Sequence, residues 1–264
     1  MNERVVTTVE AAVAEVCLNR ADKHNALDIA MFDGIRQAGE ALFERKDIRA
    51  VVLHGDGPSF CSGLDYPSFL AGGAAVGEKL FGPGDGTANH AQLSPLVWRT
   101  LPVPVICAIH GAAFGGGLQL ALGADIRIAA PDARLSVMEI KYGLIPDMAI
   151  TVTLANQIGL DHAKELTFSG RIVTGEQAAV LGLVTRTDEA PLAAARQLAA
   201  EIAGRPPEAI RAAKQLFENA WSIDRAAALG LEATLQKQMF ANPNQAEAVA
   251  AALGKRTAHF QDPD

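Results

Sequence analysis

The chain's apolar and polar positions change rhythm along its length. The first twenty residues alternate loosely and are rich in Val and Thr, as in VVTTVEAAVAEVCLN, which predicts a β-hairpin or two short strands closed by a turn at ADKHN. Asp28 then stands as the N-cap of a helix whose apolar face carries Phe32, Ile35, Leu42 and Phe43, at helical spacings. RAVVLHG, PVICAIHG and ADIRIAA are short, continuously apolar runs of the kind buried on both faces of a sheet. Strands alternating with helical patterns predict an α/β core.

Residues 66–90 break this rhythm. They are rich in Gly and Ala with little periodicity, and read as a long loop acting as a lid, a binding loop or a mobile segment. After Pro146 the pattern turns helical, through AITVTLANQIG, HAKELTFSG and GEQAAVLG, before LVTRT supplies a last short strand. From Pro191 the sequence is Ala-rich and helical, with stops at GRPPEA, NPNQ and FQDPD. The expected organisation is a core at 1–190 and a helical region at 191–264.

Composition narrows the function. Of 264 residues, 49% are hydrophobic and 20% charged, with no apolar run long enough to span a membrane, so a soluble globular protein is expected. The start lacks a signal-peptide pattern, and Glu3 and Glu10 argue against a transit peptide; the expected location is the cytoplasm. A net charge of −7 without a basic patch argues against nucleic acid as a partner. Cys17, Cys61 and Cys107 are scattered without CxxC spacing, which fits core filling better than a disulfide framework or a zinc site. His24, His54 and His110 lack partners at metal-ligand or triad spacing, and Ser62 lacks the GxSxG elbow of a serine hydrolase. No metal is implied.

The candidate chemistry begins at GGGLQL, residues 115–120, between the apolar run PVICAIHG and the apparent opening of a buried helix. Glycine allows close backbone approach there, and the first amides of a helix have no intrahelical acceptors, so a negative oxygen can be held without a charged side chain. The alternative is tight strand–helix packing. A second apolar strand, RAVVLHG, leads to GPSFCSGLDY, where Gly63 again opens the backbone beside Leu64 and Asp65. Two strand ends delivering accessible amides suit an oxyanion hole.

With these residues in place, the sequence resembles the enoyl-CoA hydratase/isomerase family, the crotonase superfamily. The resemblance rests on LNRADKHNALD, RAVVLHGDGPSFCSGLD, HGAAFGGGLQLALGADIRIAAPDARLSVMEIKYGLIPD and FSGRIVTGEQAAVLGLVTR, in that order, over roughly residues 5–260. It implies the α/β crotonase (ClpP-like) spiral of ββα turns, with a C-terminal helical region that trimerises, often as a dimer of trimers. It also implies an acyl-CoA thioester substrate, held by its carbonyl oxygen on the N–H groups of Leu64 and Gly116, with no separate cofactor because coenzyme A is part of the substrate. Lys23, Ala26, Ser62 and Asp65 then fall on CoA-lining loops, Lys23 as a phosphate contact, although Ala21 stands where the family commonly has proline. Lys255 and Arg256 lie in a C-terminal segment that in relatives reaches CoA from the same or a neighbouring subunit.

The acids discriminate among reactions. Hydratases of the family use two glutamates; the first position holds Gln119 here and the second Glu139. Gln119 cannot take a proton from water, which argues against ordinary hydration. Glu139 is bracketed by Val137, Met138 and Ile140, surroundings that raise a carboxyl pKa toward the range of a proton shuttle; the alternative is a solvated or salt-bridged glutamate. Asp147 follows in EIKYGLIPD, where dienoyl-CoA isomerases have an aspartate paired with a glutamate at the position of Glu139, although those isomerases also have an acid at position 119. A role for Asp147 as N-cap of the following helix is the alternative. The favoured expectation is double-bond isomerisation of an enoyl- or dienoyl-CoA by Glu139 and Asp147. Two others stand beside it: hydration of a 2-enoyl-CoA by the same pair, and an acyl-CoA-binding subunit with little catalysis.

Overall fold

The computed structural model describes residues 3–84, 86–155, 157–240 and 242–263. The chain opens with the hairpin β1 (Val5–Glu10) and β2 (Val13–Leu18), then a 3-10 turn at Ala21–Lys23 and helix α1 (Ile29–Phe43). Asp28 caps α1 as expected, accepting the Met31 N–H at 2.8 Å. Phe32, Ile35 and Leu42 are buried, but Phe43 is exposed: it is the last residue of α1 and has turned off the apolar face. Next come β3 (Ala50–Gly55), α2 (Tyr66–Phe81), α3 (His90–Thr100), β4 (Val105–Ile109), β5 (Ala112–Phe114), α4 (Gly116–Leu122), β6 (Ile126–Ala129) and β7 (Arg134–Ser136). A 3-10 turn at Glu139–Tyr142 leads to α5 (Ile150–Thr153), α6 (Leu160–Ser169), β8 (Val173–Thr174), α7 (Gly175–Leu181) and β9 (Arg186–Thr187). Helices α8 (Pro191–Ala203), α9 (Pro207–Ala220), α10 (Arg225–Phe240) and α11 (Pro243–Leu253) complete the chain.

The apolar runs form one six-stranded sheet in the order β1-β2-β3-β4-β6-β9, parallel except for the opening hairpin. Period-2 alternation splits its side chains between two cores. Val51, Leu53, Val105, Cys107 and Ile109 join Ile35, Trp98 and Leu118 on one face. Ala50, Val52, Ile106, Ala108 and Ile128 meet Ala194, Ala195 and Ala199 of α8 on the other. Alanines let α8 lie close to the sheet, so this helix seals the core, whereas α9, α10 and α11 pack chiefly on one another. A second sheet of very short strands, β5-β7-β8, stands beside the site.

Two expectations need correction. The stretch expected as a loop contains α2, which Asp65 caps by accepting the Ser68 N–H at 3.2 Å and whose first turn carries a proline. Gly73, at φ +56°, kinks it, and Leu80 is its one fully buried residue, so no helical apolar stripe was there to be read. Conversely, among the described residues of AITVTLANQIG, which leave out Asn156, only the four of α5 are helical. Among the described residues, no helix is long and apolar enough to cross a membrane.

Candidate active site

Two strand ends supply the backbone of the site. Asn25, fully buried, donates its side-chain amide to the carbonyls of Asp56, Ser59 and Phe60 at 2.9, 2.8 and 3.1 Å, fastening the loop after β3 to the turn after β2. Farther on, the Leu27 N–H donates to Gly63 O (2.8 Å) and the Asp65 N–H to Leu27 O (3.0 Å). Peptide groups alternate in direction along an extended segment, so the intervening Leu64 N–H turns away from Leu27. It has no acceptor among the described residues. On the facing loop the Gly115 N–H donates to Ser136 O (2.9 Å), while Gly116, first residue of α4, has no preceding turn to accept its N–H. The loops approach so closely that a Cβ on Gly63, at φ +91°, would lie 2.6 Å from Phe114 O and 3.5 Å from Gly116 N. A Cβ on Gly116 would meet Met148 Sδ at 2.8 Å and Leu27 Cδ1 at 3.0 Å.

Glu139 reaches the same place from its 3-10 turn, and Asp147 from the segment before α5. Between them Gln119, 1% exposed, uses both ends of its amide: Nε2 donates to Glu139 Oε1 at 2.6 Å, and Oε1 accepts the Met148 N–H at 2.8 Å. Because Met148 supplies a backbone donor, the oxygen of Gln119 must face it and the NH2 group must face the carboxylate. Glu139 is 9% exposed, and its Oε2 is buried without a partner. Burial pushes the Glu139 carboxyl above its ordinary range; the Gln119 hydrogen bond opposes that shift and the neighbouring Asp147 adds to it. Burial raises the Asp147 carboxyl as well. Asp147 is not the helix cap: the cap position of α5 is Ala149, in the left-handed region at φ +58°, with no side-chain cap bond.

These groups share a cavity of about 340 Å³, which also takes in Ser62. Its walls include Phe32, Tyr66, Phe69, Phe81 and Tyr142, the two tyrosine rings stacked with centroids 4.6 Å apart. Sequence reasoning missed this aromatic lining, because three of the five side chains belong to the stretch read as a loop.

The remaining candidates divide. Lys23, exposed on its turn, offers its carbonyl to the Ala26 N–H (3.0 Å) and the Ser62 hydroxyl (3.4 Å), so Lys23, Ala26 and Ser62 share one rim. Asp65 is engaged with Arg20 at 2.7 Å and in capping α2. Lys255, exposed beyond α11, does not line the cavity, and Arg256 pairs with Glu247 at 2.6 Å. His24 contacts the Ser59 hydroxyl, His54 pairs with Glu15, and His110 contacts Gly57 O, all local roles. Cys61 and Cys107 are buried, Cys17 partly so; burial pushes the Cys61 thiol up to about 12, out of range for a nucleophile. Among the described residues, no group of three His, Cys, Asp or Glu is gathered to hold a metal ion. A larger cavity of about 740 Å³ lies beside α9, but its charged residues already pair, Lys214 with Asp125 and Arg99 with Glu218.

Comparison with known proteins places the chain in a family. The family model described as enoyl-CoA hydratase/isomerase matches residues 8–263. The chain is 32% identical over 251 residues to the mitochondrial methylglutaconyl-CoA hydratase of Mus musculus, covering 92% of this chain and 78% of that one. It is also 32% identical over 267 residues to the mitochondrial Delta(3,5)-Delta(2,4)-dienoyl-CoA isomerase of the same animal, covering 95% and 79%. The crystal structure of an enoyl-CoA hydratase from Mycobacterium smegmatis superposes with a TM-score of 0.87 at 30% identity, covering 97% of this chain and 98% of that one. The chain therefore belongs to the enoyl-CoA hydratase/isomerase family and has the crotonase fold.

Proposed function

We propose that this enzyme shifts a double bond along the acyl chain of a CoA thioester, with Glu139 as the proton carrier. The thioester oxygen sits between the N–H groups of Leu64 and Gly116. Glu139 Oε2 removes a proton from C2 of a 3-enoyl-CoA, and the electron pair moves through the thioester carbonyl to give a dienolate whose oxygen the two amides stabilise. Return of the proton to C4 yields the 2-enoyl-CoA, so atoms and electrons balance without a cofactor. With a 3,5-dienoyl-CoA a proton is added at C6 instead: protonated Asp147, in the same cavity, gives it up while Glu139 keeps the proton taken from C2, and proton exchange with solvent resets the two carboxyls. One oxyanion donor is worth about 3–4 kcal/mol of transition-state stabilisation.

The observation that carries this reading is the Gln119 amide, committed at both ends to Glu139 and Met148. It leaves Glu139 one unpartnered oxygen, Oε2, which suits removal and redelivery of a proton better than activation of water. Hydration remains the second reading, favoured by Asp147 standing near Glu139 with a raised pKa. Lys23, Ala26 and Ser62 on the rim are proposed to carry the CoA moiety, with Asp65 ordering that loop and Lys255 reaching CoA from the same or a neighbouring subunit. The proposed assembly is a homotrimer or hexamer, supported by exposed Phe217, Trp221 and Leu229 on α9, just beyond it and on α10; light scattering tests it.

Incubation with a 2-enoyl-CoA, a 3-enoyl-CoA and a 3,5-dienoyl-CoA decides the reaction. Isomerisation of either of the last two, faster than hydration of the first, is expected; fast hydration alone would overturn it. Tight acyl-CoA binding with no Glu139-dependent chemistry would instead mark a binding subunit.

A further inference from the structure

The cavity's lining also bears on which acyl group it takes, an inference that rests on the thioester occupying this site. Its charged residues are Glu139 and Asp147, both acidic; among the described residues no Lys, Arg or His lines it. The basic side chains nearest in sequence are committed elsewhere or exposed: Lys79 and His90 contact Asp33 at 2.9 Å each, and Lys141 is exposed outside the lining. A second carboxylate on the acyl chain would therefore leave water without a cationic partner and approach Glu139, a base of its own sign when ionised.

The rest of the wall favours one shape. The whole chain has 14 aromatic residues, 10 Phe, 2 Tyr and 2 Trp, yet five of them, including both tyrosines, surround this cavity. Flat faces gain from offset stacking against flat π-systems beyond the area they bury. We propose that the cavity selects an uncharged, planar acyl group, an aryl or conjugated polyenoyl chain, and excludes acyl groups ending in a carboxylate.

Calorimetric binding of unreactive acyl-CoA pairs tests this without relying on turnover. Glutaryl-CoA and 5-methylhexanoyl-CoA share one heavy-atom branching pattern but end in a carboxylate and an isopropyl group, and glutaryl-CoA is expected to bind at least about tenfold more weakly. Benzoyl-CoA and cyclohexanecarbonyl-CoA differ in flatness, and the aryl thioester is expected to bind about threefold more tightly. Glu139→Gln should narrow the first gap, and Tyr142→Leu, at an exposed position, the second. Equal binding within the first pair, or weaker binding of the aryl member of the second, would overturn the inference while leaving the isomerase reading intact. No binding of any member would remove both.

Discussion

Two buried charges, Lys214 and Glu139, are treated differently: the first has its hydrogen bonds completed and the second does not. Lys214 of α9 lies beneath the large cavity with all three ammonium donors taken, by Trp98 O at 3.1 Å, Val103 O at 3.0 Å and Asp125 Oδ2 at 2.8 Å. Asp125 Oδ2 also accepts the Val105 N–H at 2.7 Å, so the pair ties α9 to the start of β4. Glu139 is equally buried, yet one of its oxygens is held by Gln119 and the other by nothing. A finished network fixes structure; an unfinished one, at the end of a cavity, keeps a reactive group available at some cost in stability.

Exchanging the charges separates the two roles. Glu139→Gln should lower isomerisation about 10²- to 10⁴-fold while the protein folds and binds acyl-CoA, as steady-state kinetics and calorimetry would show. Lys214→Met should do the reverse, leaving partly exposed Asp125 with the Val105 N–H but no cation, at a loss of about 2–3 kcal/mol in denaturant unfolding, with turnover per folded molecule unchanged. Gly116→Ala displaces Met148 or Leu27 and with them the paired amides, and should lower kcat about a hundredfold with a smaller change in KM. Gln119→Glu places a second carboxyl against Glu139, and should raise hydration of a 2-enoyl-CoA relative to isomerisation by about tenfold.

The smallest effect is in the pH dependence. Because burial raises the folded-state pKa of Glu139, the native protein binds more protons than the unfolded chain between the ordinary value of 4.5 and the raised one. Stability from this residue is thus fully present below 4.5 and is lost as pH rises through the raised value. Activity needs the ionised base, so kcat/KM should rise over that same window. Glu139→Gln should equal the wild type in stability at acidic pH and exceed it at neutral pH.

The contrast between completed and open sites also explains what the sequence disclosed. The sheet was legible because β3 and β4 are buried on both faces and so are continuously apolar, and α1 was marked by Asp28. The glycines of the site were legible because only a bare backbone lets the loops at Gly63 and Gly116 meet. Helix α2 was not, since a kink at Gly73 and one fully buried residue leave no period to detect. Nor was the second sheet, whose strands have two or three residues. The Gln119 clamp depends on a backbone N–H at Met148, which no side-chain pattern reports. The aromatic walls come from three separate segments, so their convergence is a product of the fold.

The most direct measurement is exchange of the α-protons of butyryl-CoA in heavy water, which needs the oxyanion amides and the base but no double bond. The wild type should exchange them, and Glu139→Gln should do so at least about a hundredfold more slowly at full acyl-CoA occupancy. Equal exchange rates in the two proteins would contradict the assignment of Glu139 as the base.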